Sequence, residues 1–309
     1  FVDYATGLAT SDEAAAAELM RTVRAAFAFT MVGMGLKVAI FPLHLWLPNA
    51  YTYAPSAITS FLAATATKVA IYVMLRFLFS VFQPGFLAEV PTLDLILYPF
   101  AILAMFAASY TAILQRDLKR MLAYSSIGQV GYMLLGIALL SESGLMATMI
   151  HLFNHGITKA ALFMGVGVYV LNGGGSFYHN LRGRGKTMPW TSAAMVVAGL
   201  SLIGVPGTAG FLSKWLLVEA ALAQSIWPIA LLIVASSLLA VIYVWKLIET
   251  LYLAQPAEGL QDQNVPLMMM IPLWVMALAC IYFGFDTDIT LSAARSAAEG
   301  LLAGSAGMR

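Results

Sequence analysis

GLMATMIHLFNHGITKAALFMGVGVYVLN, residues 144–172, is an apolar run long enough to cross a bilayer, yet its middle carries His151, His155 and Lys159. These three stand at i, i+4 and i+8, so a helix places them in one polar stripe on a single face. A lysine at the centre of a membrane helix costs on the order of 2.5–3.5 kcal/mol on insertion scales, so a row of such residues marks a functional site before it marks packing.

The rest of the chain reads as housing for that stripe. Apolar residues make up 61% of the 309 and charged residues 10%. With a mean hydropathy of +0.85, this composition excludes an ordinary soluble domain and predicts an all-α, polytopic transmembrane helical bundle; the expected location is a bacterial-type inner (cell) membrane. A net charge of +1 names no partner and gives no reason to expect nucleic acid. The single cysteine, Cys280, rules out an intrachain disulfide. No nucleotide loop, redox-cofactor motif or metal set is present, so no cofactor and no redox chemistry of its own are expected. The chain opens at Phe1 with neither initiator Met nor signal pattern and is expected to be the C-terminal part of a longer subunit.

Residues 1–24 are acidic at Asp3, Asp12, Glu13 and Glu18, then basic at Arg21 and Arg24, and are expected to form an extramembrane lead-in, as loop or surface helix. About eight apolar runs of near-bilayer length follow over residues 25–284, at roughly 25–43, 56–80, 95–114, 119–140, 145–171, 190–222, 227–253 and 266–284. The tail 285–309 reads as a weak surface helix. Short loops over 115–120 and 172–189 hold Arg116, Lys119, Arg120, Arg182, Arg184 and Lys186, whereas 81–94, 141–144 and 223–226 hold no Lys or Arg. The positive-inside rule then puts the basic loops in the cytoplasm and the C-terminus outside.

Two runs are interrupted. FPLHLWLP (41–48) carries Pro42 and Pro48; GVPGTAGF (204–211) carries Gly204, Pro206, Gly207 and Gly210. Interrupted spans in corresponding places of two halves are a pointer to a transport site. The two breaks are five runs apart and so cross the membrane in opposite directions, as inverted five-helix repeats require. The end of a first repeat then occupies 25–80, a second repeat 95–253, and a last helix 266–284. Lys37 precedes the first break and Lys214 follows the second. Lys68 sits in the run after the first break, and its five-run counterpart carries Lys246. Ser125, Gln129 and Tyr132 make a further polar stripe at i, i+4 and i+7.

Buried lysine and histidine exchange protons near neutral pH. Lys37, Lys68, His155, Lys159 and Lys214 therefore form a candidate proton relay rather than a catalytic site. His151, Ser125, Gln129, Tyr132 and Lys246 are candidate accessories. A bland reading stands beside it: lysines that cap carbonyls freed at helix breaks, Lys246 paired with Glu249, and His44 and Trp46 as interfacial anchors. Histidines at i, i+4 can also chelate a metal, but His44 and His179 fall in loops and supply no second intramembrane pair. A solute carrier with structural lysines is a third reading.

The runs GLKVAIFPLHLWLPNAYTYAPSAITSFL (35–62), TKVAIYVMLRF (67–77), QRDLKRMLAYSSIGQVGYMLLGI (115–137), HLFNHGITKAALF (151–163) and GVPGTAGFLSKW (204–215) resemble the antiporter-like membrane subunits shared by respiratory complex I, membrane-bound hydrogenases and Mrp Na+/H+ antiporters. The resemblance implies a hydrated polar axis along the membrane midplane. It sets Lys37 on a broken seventh helix, Lys68 on the eighth, His155 and Lys159 on the eleventh and Lys214 on a broken twelfth. It further implies other membrane subunits as partners and H+, with Na+ as a candidate second ion. Lys159, Lys214 and AITSFLAATATKVAIYVMLR (57–76) lean toward the D-type member of the Mrp antiporters. A subunit like chain M or N of NADH-quinone oxidoreductase, or of a hydrogenase, is the alternative; in chain M, LHLWLP is usually followed by Asp where this chain has Asn49.

Overall fold

The computed structural model describes residues 13–82, 85–87, 90, 92–173, 175–255 and 265–303; Asp3 and Asp12 of the lead-in lie outside them. Within these residues the chain is helical apart from connections. Helix α1 runs Glu13–Val38, α2 Trp46–Tyr53, and α3 Ser56–Arg76 with a π-helical turn at Phe77–Phe82. Then come α4 Thr92–Leu103, continued through a π-helical turn at Ala104–Ala108 into α5 Ser109–Leu114, and the hairpin of α6 Leu118–Ala138 with α7 Glu142–Leu171. Two single-turn helices, α8 Tyr178–Leu181 and α9 Arg184–Thr187, lead to α10 Pro189–Ile203, α11 Ala209–Ala223, α12 Trp227–Ile248 with a π-helical turn at Glu249–Leu253, α13 Leu267–Phe285 and α14 Asp288–Ala303.

By length and composition, five of the described helices can cross a membrane: Ser56–Phe82, Ile96–Leu114, Leu118–Ala138, Trp227–Leu253 and Leu267–Phe285. The central α7 is not among them, although it spans 30 residues. Its own polar stripe lowers its hydropathy, and its neighbours supply the apolar cover instead. It is packed by α3, α6, α11, α13, α14 and α10, and most of its side chains are buried. A polar helix wrapped in this way by apolar ones is the arrangement a bilayer demands.

The hairpin is set by local chemistry at both starts. Asp117 caps α6 by accepting from the Arg120 amide at 2.9 Å, and Ser141 caps α7 by accepting from the Gly144 amide at 3.1 Å. Asp117 also accepts from Ser176, which pins the connection after α7 to the start of α6.

Both expected breaks are present. After α1, the chain turns through Ala39 at φ 64° and a cis Phe41–Pro42 bond before α2, and the Trp46 indole donates to Leu36 O at 2.7 Å across the turn. The second break separates α10 from α11 at residues 204–208, where Gly204 takes φ 89°, a left-handed conformation that glycine adopts without strain.

Two expectations at the chain's ends differ. The lead-in is no separate element from residue 13 onward, because those residues continue as helix into Val38; their alanines favour one uninterrupted helix. The tail is more than a weak surface helix. In α14, Thr290, Ala294, Ala298 and Leu301 are buried at helical spacing, and Ala298 and Leu301 join the same core as Leu145, Ala147 and Phe79.

Candidate functional site: a buried cation row

Helix α7 brings Lys159 to full burial, where Nζ donates to Leu122 O at 2.8 Å and to Ser125 Oγ at 2.5 Å. Ser125 in turn donates to Leu122 O at 2.9 Å. One end of the α6 stripe therefore holds the lysine of the α7 stripe. At the other end of α6, the Tyr132 hydroxyl meets Ser236 Oγ of α12 at 2.6 Å, and Lys214 Nζ lies 4.9 Å from the centre of the Tyr132 ring. Gln129, buried between them, completes a polar ridge from Lys159 to Lys214.

Between those ends stand the histidines. The His151 and His155 rings stack with centroids 5.9 Å apart, and Tyr132 lies 5.6 Å from His151. His151 Nδ1 meets Ser213 Oγ at 2.8 Å, and Ser213 donates to Gly210 O at 3.2 Å. His151 Nε2 is buried without a hydrogen-bond partner. Both ring nitrogens of His155 are buried without a hydrogen-bond partner. His155 stands on α7 between His151 and Lys159, and α3, which carries Lys68, and α11, which carries Lys214, both pack against α7. Lys68 is buried on α3 and donates to Ala63 O of its own helix.

Lys214 caps the second break: its Nζ donates to Leu202 O at 3.1 Å and Ile203 O at 2.8 Å, carbonyls that lose their helical partners where α10 stops. Glu219, five residues further along α11, is exposed. Among the described residues, Asp117 is the buried carboxylate, and Ser176 and Arg120 hold it. The lysines of the row are thus neutralised by no carboxylate among the described residues.

The structure leaves two of the sequence candidates outside the row. Lys37, in the last turn of α1, is exposed. Lys246 donates to Ile113 O at 2.9 Å and Gln115 O at 2.7 Å, and lies 4.9 Å from the Tyr178 ring centre. It caps α5 and forms no pair with Glu249; the phenol of Tyr178 is pushed up by burial and by nearby Asp117. His44 is buried, stacked on Phe41 at 4.9 Å, so it is not an exposed anchor, whereas Trp46 is 42% exposed. Sequence reading missed Asn154 and Thr158, uncharged residues on α7 whose partners lie far along the chain. Asn154 Nδ2 donates to Ala209 O at 2.6 Å and Thr158 Oγ1 meets Ser201 Oγ at 2.9 Å.

Residues 6–240 match the family described as NADH:quinone oxidoreductase/Mrp antiporter, TM. Subunit N of NADH-quinone oxidoreductase from Desulforudis audaxviator is 36% identical over 86% of this chain and 56% of its own length. Subunit L of F(420)H(2) dehydrogenase from Methanosarcina mazei is 35% identical over 79% of this chain and 37% of its own. The chain thus spans about half the length, or less, of these relatives. Among solved structures, the membrane-bound sulfane sulfur reductase, an archaeal respiratory membrane complex, aligns at 31% identity with a TM-score of 0.79 over 89% of this chain and 55% of that one. The Mrp complex from Dietzia sp. DQ12-45-1b aligns with a TM-score of 0.82 over 95% of this chain and 61% of that one, at 24% identity a likeness of fold alone. The lean toward a D-type Mrp protein is not what these curated relatives favour; they fit the alternative, an oxidoreductase membrane subunit. The chain is an integral membrane protein and belongs to the NADH:quinone oxidoreductase/Mrp antiporter membrane-subunit family.

Proposed function

We propose that this chain is the proton-relaying part of a membrane subunit in a quinone-linked respiratory oxidoreductase, of the kind called subunit N. The observation that carries the reading is the row Lys68, His155, Lys159 and Lys214, all buried on three helices packed together, with the His155 imidazole unpartnered and Ser125, Gln129 and Tyr132 alongside. Its amines, imidazoles and hydroxyls can each take up or give a proton, and in this reading their chemistry is to hold and pass protons. Ser and Tyr hydroxyls both donate and accept, which lets them hand a proton between the nitrogens.

The redox reaction and its cofactors belong to other subunits in this reading, with H+ as the ion moved. The basic loops face the cytoplasm. Lys37 enters the relay only through the family resemblance, since it stands on an exposed face. The test uses the full-length subunit in its native complex, in sealed vesicles. Lys214→Ala is expected to abolish proton translocation with the complex still assembled, and normal translocation in that variant ends the relay reading. Co-purification with quinone-site subunits, rather than small Mrp subunits, is expected.

A further inference from the structure

The central helix grips both lips of the second break. On the α10 side, Thr158 Oγ1 meets Ser201 Oγ at 2.9 Å, and Ser201 Oγ accepts from the Gly210 amide at 3.3 Å. On the α11 side, Asn154 Nδ2 donates to Ala209 O at 2.6 Å, and His151 meets Ser213 at 2.8 Å. All of these contacts are buried. Between the lips the backbones almost touch: a Cβ on Gly210 would lie 1.8 Å from Ser201 O. The carbonyls that receive Lys214, Leu202 O and Ile203 O, directly follow Ser201 in sequence.

These contacts fix where the Lys214 ammonium rests. Its acceptors exist because α10 ends at Ile203, and the direction of its own helix is set at Ala209 and Gly210. A shift of either lip by an ångström separates Nζ from its carbonyls or from the Tyr132 ring. On α7, Asn154 lies between His151 and His155 and Thr158 between His155 and Lys159, so the helix carrying the middle of the row also sets the geometry of its end.

We infer that Asn154 and Thr158 are positioning residues for proton transfer, a latch from α7 across the break that holds Lys214 in register with the row. The inference rests on the relay reading above. An alternative is that they serve helix packing alone. The two roles separate by side-chain chemistry, because Thr158→Ser keeps the hydroxyl and loses a methyl group, whereas Thr158→Val keeps the volume and loses the hydroxyl.

The experiment compares Asn154→Leu, Thr158→Val, Thr158→Ser and Lys214→Ala in the full-length subunit within its complex, reading proton translocation at matched complex content. A latch predicts that Asn154→Leu and Thr158→Val lower translocation by roughly 3- to 30-fold, with Thr158→Ser close to wild type. If Asn154→Leu does not accumulate, the Thr158 pair decides alone. Wild-type translocation in Thr158→Val, or equal loss in Thr158→Ser and Thr158→Val, overturns the latch. Wild-type translocation in Lys214→Ala overturns the relay itself, an outcome distinct from a dead Lys214→Ala beside a normal Thr158→Val.

Discussion

Lys159 Nζ lies 2.5 Å from Ser125 Oγ, in a site fully closed to solvent, with Leu122 O as its other acceptor at 2.8 Å. A buried ammonium with three donors to place is served here by one carbonyl and one hydroxyl. Burying an ammonium that no carboxylate balances costs free energy that an apolar side chain of similar volume does not. Lys159→Met is therefore expected to leave the thermal midpoint of the purified complex unchanged or higher. A marked fall in that midpoint would mean that Lys159 is there to cap Leu122.

Lys246 is the contrasting lysine. It satisfies the carbonyls of Ile113 and Gln115 at the end of α5, and hydrogen bonds to charged groups are worth about 1.5–3 kcal/mol. Lys246→Met is expected to cost stability of about that size while proton translocation per assembled complex stays at the wild-type level. Loss of translocation without loss of stability would move Lys246 into the row.

Gly210 tests the break. A methyl group there meets Ser201 O at 1.8 Å, far inside contact distance, whereas one on Gly33 meets nothing within 4 Å. Gly210→Ala is expected to destabilise the subunit by about 3 kcal/mol or more, and Gly33→Ala to leave it unchanged. Unfolding in detergent, followed by circular dichroism, separates the two, and equal behaviour would show that the two lips are not packed so closely.

The stripe at 151, 155 and 159 was legible because helical spacing alone sets charged residues on one face, and the second break was legible because Gly and Pro cannot continue a helix. What the lysines touch was not legible. Lys159 meets Leu122 and Ser125, and Lys246 meets Ile113 and Gln115, across separations that only the tertiary fold closes. The latch was hidden for the same reason and for another: Asn154 and Thr158 carry no charge, so nothing marks them out in an apolar run. The packing of α14 on α7 was missed because four small or apolar residues at helical spacing in an Ala-rich tail read as weakly amphipathic until a partner surface is known.

Orientation can be read by labelling. Arg182 is exposed in the basic loop between α8 and α9, and the native Cys280 is buried. Arg182→Cys is expected to react with a membrane-impermeant maleimide in inverted vesicles and not in intact cells. Reaction in intact cells would reverse the proposed topology.

The most direct measurement is proton translocation by vesicles holding the complex with Lys159→Met in the full-length subunit, set against electron transfer to quinone in the same preparation. With the amine gone from the middle of the row, translocation through this subunit is expected to cease although the complex assembles and the helix keeps its place. Wild-type translocation by an assembled Lys159→Met complex would contradict the buried row as the proton path.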